Sequence, residues 1–590
     1  RYTPTMPLIN NPNLKTVNQI HDFVIDKIGE DGVTIHISRS YSTLKTDVER
    51  IKFIRQLMKA YNIVIPFIAS KKDDNKSEVL RNKGNESYKN KQYETALLLY
   101  NESLALAPDG SKSLALAYGN RSALLFQIKK YAAAMLDIQQ AKASNYPEDL
   151  LVKLDNRRLK CILHLNNVTN EEHQRFETNP LLNGSNHEIP CASAALSLEF
   201  DVNFGRRMVA KHDIAPGSIL VEESPFTCTL AFELRYSRCS NCLRKSYNLI
   251  PCLNCTEAMF CSTECMDAAF SHYHRLECAI LASIKSLDLS KIQFLSFRVA
   301  IRALTFFNSD INALKKSVDA IEKHMESNSK LAGFSKDSNG ELKYISNTYD
   351  AVHCLVAHSE IRKVSDLFYR GVVAFTLVMI LQNNMDIINN FNDDDTDFFG
   401  SLILHHLQTS SCNMHTLSEL ADNSCQDQQL GNGAFPVHSL FNHSCSPNVS
   451  RYSFYECGKI IMKTIALLPI AAGEEIFDNY GYHYAILSKE ERLKTLKDQY
   501  YFDCQCTACT ENYPLYFSLP HIEEYPLTTV PKEAYQKLES HDREFALQKL
   551  YVYLNQLSVV SNLSPYPSKQ LCDLQEAAKQ CLAILTKEVY

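Results

Sequence analysis

Three absences narrow the possibilities for this sequence before any motif is read. No apolar run approaches the roughly 20 residues a membrane-spanning helix requires, so no membrane association is expected. Neither sign of charge dominates. Against 61 Lys and Arg stand 67 Asp and Glu, a net charge of −6 over 590 residues, which argues against nucleic-acid binding through bulk charge and leaves only a local basic patch to do it. The opening residues RYTPTMPLIN lack the charged-then-apolar profile of a secretory signal; they also begin without methionine, which predicts a preceding segment. Hydrophobic content of 45% and charged content of 22% are ordinary for a globular chain, and the length suits about three to five domains.

Cysteine, by contrast, is abundant, with 20 residues. Ten fall into tight groups with metal-ligand spacing, Cys445 sits in a polar stretch of its own, and the other nine stand singly, among them Cys412, Cys425 and Cys457. That split argues against a disulfide framework and predicts a reducing compartment, cytoplasm and nucleus.

Residues 1–70 read as a helical segment without an assigned role, followed by a charged linker at Lys71–Lys76. From 77 the pattern sharpens. Gly84, Tyr88, Tyr93, Ala96, Tyr100 and Pro108 occupy the small and aromatic positions of a 34-residue tetratricopeptide unit. Ser122, Tyr131, Ala134 and Ala141 repeat the pattern 38 residues on, the extra four being an insertion between units. A helix near 149–165 extends or caps this array, giving a repeat region over 71–165. A polar, turn-rich stretch at 166–190 marks a boundary. Short alternating segments between Gly and Pro turns then predict small antiparallel sheets over 191–238 and again over 411–490. Helical periodicity fills 279–410. A segment at 491–515 and a helical region at 516–590, with helices at about 532–559 and 567–589, complete an α+β multidomain chain.

Cys239-x2-Cys242, Cys252-x2-Cys255, Cys261-x3-Cys265 and His274-x3-Cys278 place eight ligand-type residues within forty. Tetrahedral zinc takes four soft or borderline donors, and pairs this close can grip an ion from one turn, so 239–278 reads as a module for two ions. His272 fits the spacing less well and reads as a surface residue. Cys504-x-Cys506-x2-Cys509 offers three thiolates, one short of a closed site; on spacing alone, unmetallated thiols remain the alternative.

The stretch Asn442-His443-Ser444-Cys445-Ser446-Pro447-Asn448 packs two amides, an imidazole and a thiol beside a proline. Together with the Gly205 turn, the Gly473-Glu474-Glu475 run ending at Tyr480 and the cysteines at 504–509, it resembles the SET methyltransferase fold. The module at 239–278 narrows the resemblance to SET and MYND domain-containing lysine methyltransferases, and the repeats to a tetratricopeptide-bearing member. The resemblance spans about 196–515. It implies transfer of a methyl group from S-adenosylmethionine to a protein lysine.

It also implies site residues: Val202, Asn203, Phe204, Asn413, Asn442, His443 and Phe502 against the cofactor, and Tyr480 as the active-site tyrosine. One zinc would be held by Cys239, Cys242, Cys261 and Cys265, and another by Cys252, Cys255, His274 and Cys278. A third would join Cys445 to Cys504, Cys506 and Cys509. The sequence departs from the family pattern at Val202-Asn-Phe-Gly205, where a second glycine and a basic residue are usual.

The chemistry accounts for these residue types. A lysine nucleophile must be neutral, and deprotonating it at neutral pH costs on the order of 4 kcal/mol. A narrow aromatic channel, with Tyr480, Tyr500 and Phe502 as expected walls, disfavours the ammonium by desolvating it beside a cationic cofactor.

Expected partners are a protein substrate, a proline-rich peptide at the finger, a corepressor complex and a chaperone C-terminal peptide. The last would be held by a carboxylate clamp of Arg81, Asn85, Asn120, Lys153 and Arg157. A second reading of the chain is a SET-fold scaffold of little activity that recruits partners through the repeats and the finger.

Overall fold

The computed structural model describes residues 14–166, 176, 179–382, 390–421, 426–456, 458–521, 529–563 and 567–587. Cys425 and Cys457, and parts of the stretches 166–190 and 511–531, lie outside them. The chain divides into two compact units, each assembled from three separate stretches.

The first unit contains residues up to 175 together with 229–309 and 363–404. Helices α1 (Val17–Glu30), α2 (Thr34–Ser42) and α3 (Asp47–Ala60) account for the N-terminal segment. Thr16 and Thr46 start α1 and α3 with reciprocal capping boxes, each satisfying two otherwise orphaned backbone donors. These helices pack on the helix Val364–Gln382. Gly371 lies where a Cβ would meet the Tyr41 hydroxyl at 2.9 Å and Ile54 at 3.1 Å, and only glycine allows that approach.

Val364–Gln382 corrects one expectation. At 19 residues it is long and apolar enough to cross a membrane. Polar residues at its start hide it from a search for unbroken apolar runs, and most of it is buried in the unit. The acidic run before Asp397 opens the next helix, Asp393–Asn413, where carboxylates suit the N-terminal dipole. Arg55 of α3 forks onto Asp397 at 2.7 and 2.8 Å and reaches Asp393 at 2.7 Å.

Four helices follow as two antiparallel pairs: α4 (Asp74–Lys89) with α5 (Tyr93–Leu106), and α6 (Lys112–Gln127) with α7 (Tyr131–Ala143). A fifth, α8 (Leu151–Asn166), stands against the second pair. The linker is shorter than its charge suggests, because Asp73 caps α4 by accepting the Lys76 N–H. Gly84 lets Tyr100 pack directly on the α4 backbone.

The cysteine-rich module docks on these pairs through buried polar groups. Arg121 is fully buried. It forks onto Asp137 at 2.7 Å and donates to Asn101 Oδ1 and to the Leu249 carbonyl at the module's edge. Asn248 returns a bond to Asp137, and Lys72 bridges the carbonyls of Ala105 and Cys252.

The second unit holds residues 176–228, 310–362 and 405–590. Its sheets are small. Leu196–Asp201 pairs antiparallel with Gly205–Ala210, and His415–Leu420 pairs with Asp427–Ala434. Lys459–Ala466 lies between Val449–Glu456 and Ile219–Glu223. The C-terminal region contains three helices, Lys532–Glu539, Arg543–Leu563 and Lys569–Thr586. The sequence suggests one helix over 532–559, but the chain turns at His541 (φ 55°) and Asp542 starts a new helix by accepting the Phe545 N–H. Their apolar faces join Ile219, Leu420, Ile465 and Leu467 of the sheets in one core.

Candidate active site

Two remote segments, 442–448 and 475–480, are laced together side by side. Asn442–His443 and Phe477–Asp478 form a short parallel pair. Asn442 Nδ2 donates to Glu475 Oε1 at 2.7 Å. Asn448 donates to the Glu475 carbonyl at 2.9 Å and accepts the Phe477 N–H at 2.8 Å. The Ser444 N–H donates to the Asp478 carbonyl, and Asn479 Nδ2 to the Ser444 carbonyl. An asparagine amide carries a donor and an acceptor in fixed geometry, so asparagines at both ends of the stretch can clamp a neighbouring strand that backbone pairing alone would leave short.

His443 and Tyr480 lie at the centre. His443 Nδ1 accepts the Tyr480 N–H at 3.0 Å. Burial lowers the imidazole's pKa to about 4, so the ring is neutral, with its proton on Nε2 facing Cys445 Sγ at 3.4 Å. The Tyr480 hydroxyl donates to the Phe441 carbonyl at 2.7 Å, and burial pushes its pKa upward.

Aromatic rings surround the pair. The ring centroid of Tyr480 lies 4.9 Å from that of Tyr500 and 5.1 Å from that of His443, whose own centroid lies 6.1 Å from that of Phe502. The expected channel walls therefore form one cluster. Tyr500 ends the helix Lys489–Tyr500, and the left-handed Tyr501 (φ 64°) that follows turns the chain back to present Phe502.

Val202, Asn203 and Phe204 form the exposed tip of a hairpin that turns at Gly205 (φ +72°). Asp201 Oδ1 accepts the N–H groups of Asn203 and Phe204 at 2.7 and 3.1 Å, which leaves this tip presenting acceptors. Arg206, next in the chain, offers its carbonyl 3.4 Å from Asn442 Nδ2, so the hairpin lies beside the Asn442 end of the site. Asn413 ends a helix, its Nδ2 committed to the Val356 and Thr409 carbonyls.

Three sets of ligand-type side chains converge among the described residues: Cys239, Cys242, Cys261 with Cys265; Cys252, Cys255, His274 with Cys278; and Cys445, Cys504, Cys506 with Cys509. In each set the ligand atoms lie within 4.8 Å of one another. Four soft or borderline donors converging in this way can hold a metal ion, and sulfur-rich sets of this kind suit zinc. In the second set a π-type turn over Phe270–His274 swings His274 inward, leaving His272 exposed. Cys445 thus ties the 442–448 stretch to 504–509, and buried Arg492 approaches Cys509 Sγ at 3.7 Å.

Sequence reasoning named Glu475 only as part of the Gly473-Glu474-Glu475 run, without a role, and did not single out the ion pair of Arg451 with Asp478. Arg451 also donates to His415 Nδ1 and lines a cleft of about 680 Å³ whose other walls include Glu419, Tyr452 and Lys579. Only the Gly-Glu-Glu spacing before Tyr480 could have signalled Glu475.

In the clamp candidates, Asn120 Nδ2 donates to Asn85 Oδ1 at 2.7 Å, which joins the two amides. Arg81 pairs with Glu78 at 3.2 Å and Lys153 is exposed. Arg157 donates through Nη1 to the Gly119 carbonyl and the Ser122 hydroxyl and so holds α8 to α6.

Residues 205–481 match the SET domain family. Along more of the chain, protein-lysine N-methyltransferase SMYD4 of Mus musculus is 25% identical over 564 residues, covering 78% of this chain and 69% of the relative. The Danio rerio SMYD4 is 24% identical, covering 80% and 72%. Histone-lysine N-methyltransferase SMYD3 of Mus musculus is 27% identical over 52% of this chain and 59% of its own. The laced segments 442–448 and 475–480 lie within the residues that match the SET domain. Residues 205–481 thus carry a SET domain, and over most of its length the chain is similar to SMYD protein-lysine methyltransferases.

Proposed function

We propose that this protein transfers a methyl group from S-adenosylmethionine to a lysine side chain of a protein substrate. The observation that carries the reading is the Tyr480 cluster: a half-buried tyrosine with its hydroxyl fixed on the Phe441 carbonyl, its backbone N–H held by His443, and Tyr500 and His443 as its walls. The donor set supports the cofactor as well. Asn442 offers an oriented amide, neutral His443 and Phe502 an apolar face, and the 202–204 tip carbonyl acceptors. When bound, the cofactor supplies the methyl group on a sulfonium.

This chain's residues supply the rest. The aromatic walls exclude water and disfavour the charged amine, which loses its proton to solvent before transfer. Tyr480 and Tyr500 align the amine, and alignment of reacting atoms is itself worth several orders of magnitude in rate. The cleft lined by Arg451 is where the substrate chain would lie. We assign structural zinc to all three ligand sets, the first two as a MYND finger and the third as a clip fastening 504–509 beside the site. The paired helices α4–α7 with α8 read as tetratricopeptide repeats that bind an acidic C-terminal peptide, in a protein acting in cytoplasm and nucleus. The finger, with its 248–252 edge already docked on the helix pairs, keeps its remaining surface for a proline-rich peptide or a corepressor.

Incubating the protein with labelled cofactor and cell lysate, with Tyr480→Phe as control, tests the activity. Labelled lysine that depends on Tyr480 is expected, and equal labelling by the variant would overturn the assignment.

A further inference from the structure

Asn442 is held by more than its neighbours in sequence, and the way it is held selects one face of its amide. Two atoms approach its Nδ2: Glu475 Oε1 at 2.7 Å and the Arg206 carbonyl oxygen at 3.4 Å. Both are acceptors. A carboxylate accepts only, so a flipped Asn442 would set its own oxygen against the Glu475 carboxylate and lose both bonds. The orientation is therefore dictated, and Oδ1 is turned away from Glu475 as an acceptor for whatever binds.

Glu475 is itself fixed. Its carbonyl takes the Asn448 amide at 2.9 Å, its backbone bridges to Val209, and its other carboxylate oxygen lies 3.7 Å from Arg207, which pairs with Glu199 at 2.9 Å. The surroundings carry net negative charge, with Glu199, Asp201 and Glu475 against Arg207. Asp201 also occupies the N–H groups of the neighbouring hairpin tip. Acceptors and negative charge together favour a cationic donor and disfavour a carboxylate at this end of the site.

We infer that Glu475 is a positioning residue that locks the Asn442 amide so that its oxygen receives the α-ammonium of the cofactor's amino-acid moiety. The inference rests on the methyltransferase reading of the site and adds a residue to it. Glu475 acts through Asn442 and takes no part in methyl transfer.

The test compares two ligands in calorimetric binding to the full chain: S-adenosylhomocysteine, and 5′-methylthioadenosine, which has the adenosine and the sulfur but no amino-acid moiety. Glu475→Leu removes the acceptor; Glu475→Gln retains one acceptor but can also donate, so it no longer dictates the flip. Zinc content and unfolding temperature establish that each variant is folded. Glu475→Leu is expected to weaken S-adenosylhomocysteine about tenfold, the loss of one hydrogen bond to a charged group. Glu475→Gln should weaken it less, and methylthioadenosine should bind both variants within about twofold of wild type. Equal losses for the two ligands would overturn the positioning role in favour of a structural one, as would no loss for S-adenosylhomocysteine. Asn442→Ala separates the two levels. If it weakens S-adenosylhomocysteine while Glu475→Leu does not, only the positioning role falls. If it weakens neither ligand, the cofactor site itself is misassigned.

Discussion

His443 accepts the backbone N–H of Tyr480 through Nδ1 at 3.0 Å, 37 residues away in sequence. One neutral imidazole therefore orients the backbone that carries the central tyrosine, while its Nε2 faces Cys445 of the third ligand set. The aromatic cluster and the cysteine clip meet in this ring.

Metal content follows from that geometry. Three zinc ions per chain are expected on elemental analysis after gentle purification. Cys445→Ser should reduce the count to two and weaken cofactor binding, because the 504–509 segment that presents Phe502 loses its anchor. Two or fewer ions in the wild type would break the shared-site assignment.

Catalysis and binding should separate between two variants. Asn442→Ala should abolish cofactor binding, whereas Tyr480→Phe should leave it within a few-fold and lower kcat by about tenfold or more, as expected when an aligning group is lost. Steady-state rates on a verified lysine substrate, read with cofactor titrations, distinguish the two. Wild-type methylation by both variants would contradict the site.

The repeats are expected to bind a peptide ending in Glu-Glu-Val-Asp at micromolar strength, weakening with salt. Because Arg157 also holds α8 to α6, Lys153→Glu is the cleaner variant. It and amidation of the peptide's carboxyl terminus should each remove binding in a fluorescence titration. Unchanged affinity would return these residues to a solvated helix face.

Stability should depend on the buried pair Arg121–Asp137. Asp137→Leu leaves a fully buried guanidinium without its carboxylate, a loss of about 3–5 kcal/mol, whereas Arg121→Met combined with Asp137→Leu should recover most of it. Denaturant melts of the three proteins provide the comparison. Similar midpoints for the single and double variants would refute the account.

Acid should destabilise the second unit through His406 and His415. Burial holds both well below the usual histidine value, and the His415 Nδ1 is already occupied by the Arg451 donor. The unfolded chain takes up protons as pH falls below about 6.5 while these folded histidines do not. Their contribution is therefore complete above that pH and is lost on acidification, at about 1.4 kcal/mol per pH unit for each. The unfolding temperature should drop between pH 7.5 and 5.5, and His406→Gln should flatten that slope.

Whatever depends on short-range spacing was legible in the chain. Cysteines two to four residues apart grip an ion from one turn, so both ends of each ligand pair were legible, and residues one repeat apart gave the helix pairs because small side chains must recur where helices touch. The 442–448 stretch was legible for the same reason: its chemistry is concentrated in seven residues. Which distant groups meet was not legible, because it depends on packing between remote segments. The roles of Glu475, Arg451 and Asp478 exist only once two strands lie side by side, and spacing cannot tell that Arg157 donates to Gly119 and Ser122. Gly371 against Tyr41 explains why Val364–Gln382, apolar enough for a lipid bilayer, is buried in protein: its complement comes from helices more than three hundred residues earlier. A local pattern fixes which groups a segment can offer, and long-range packing fixes which of them remain free to act.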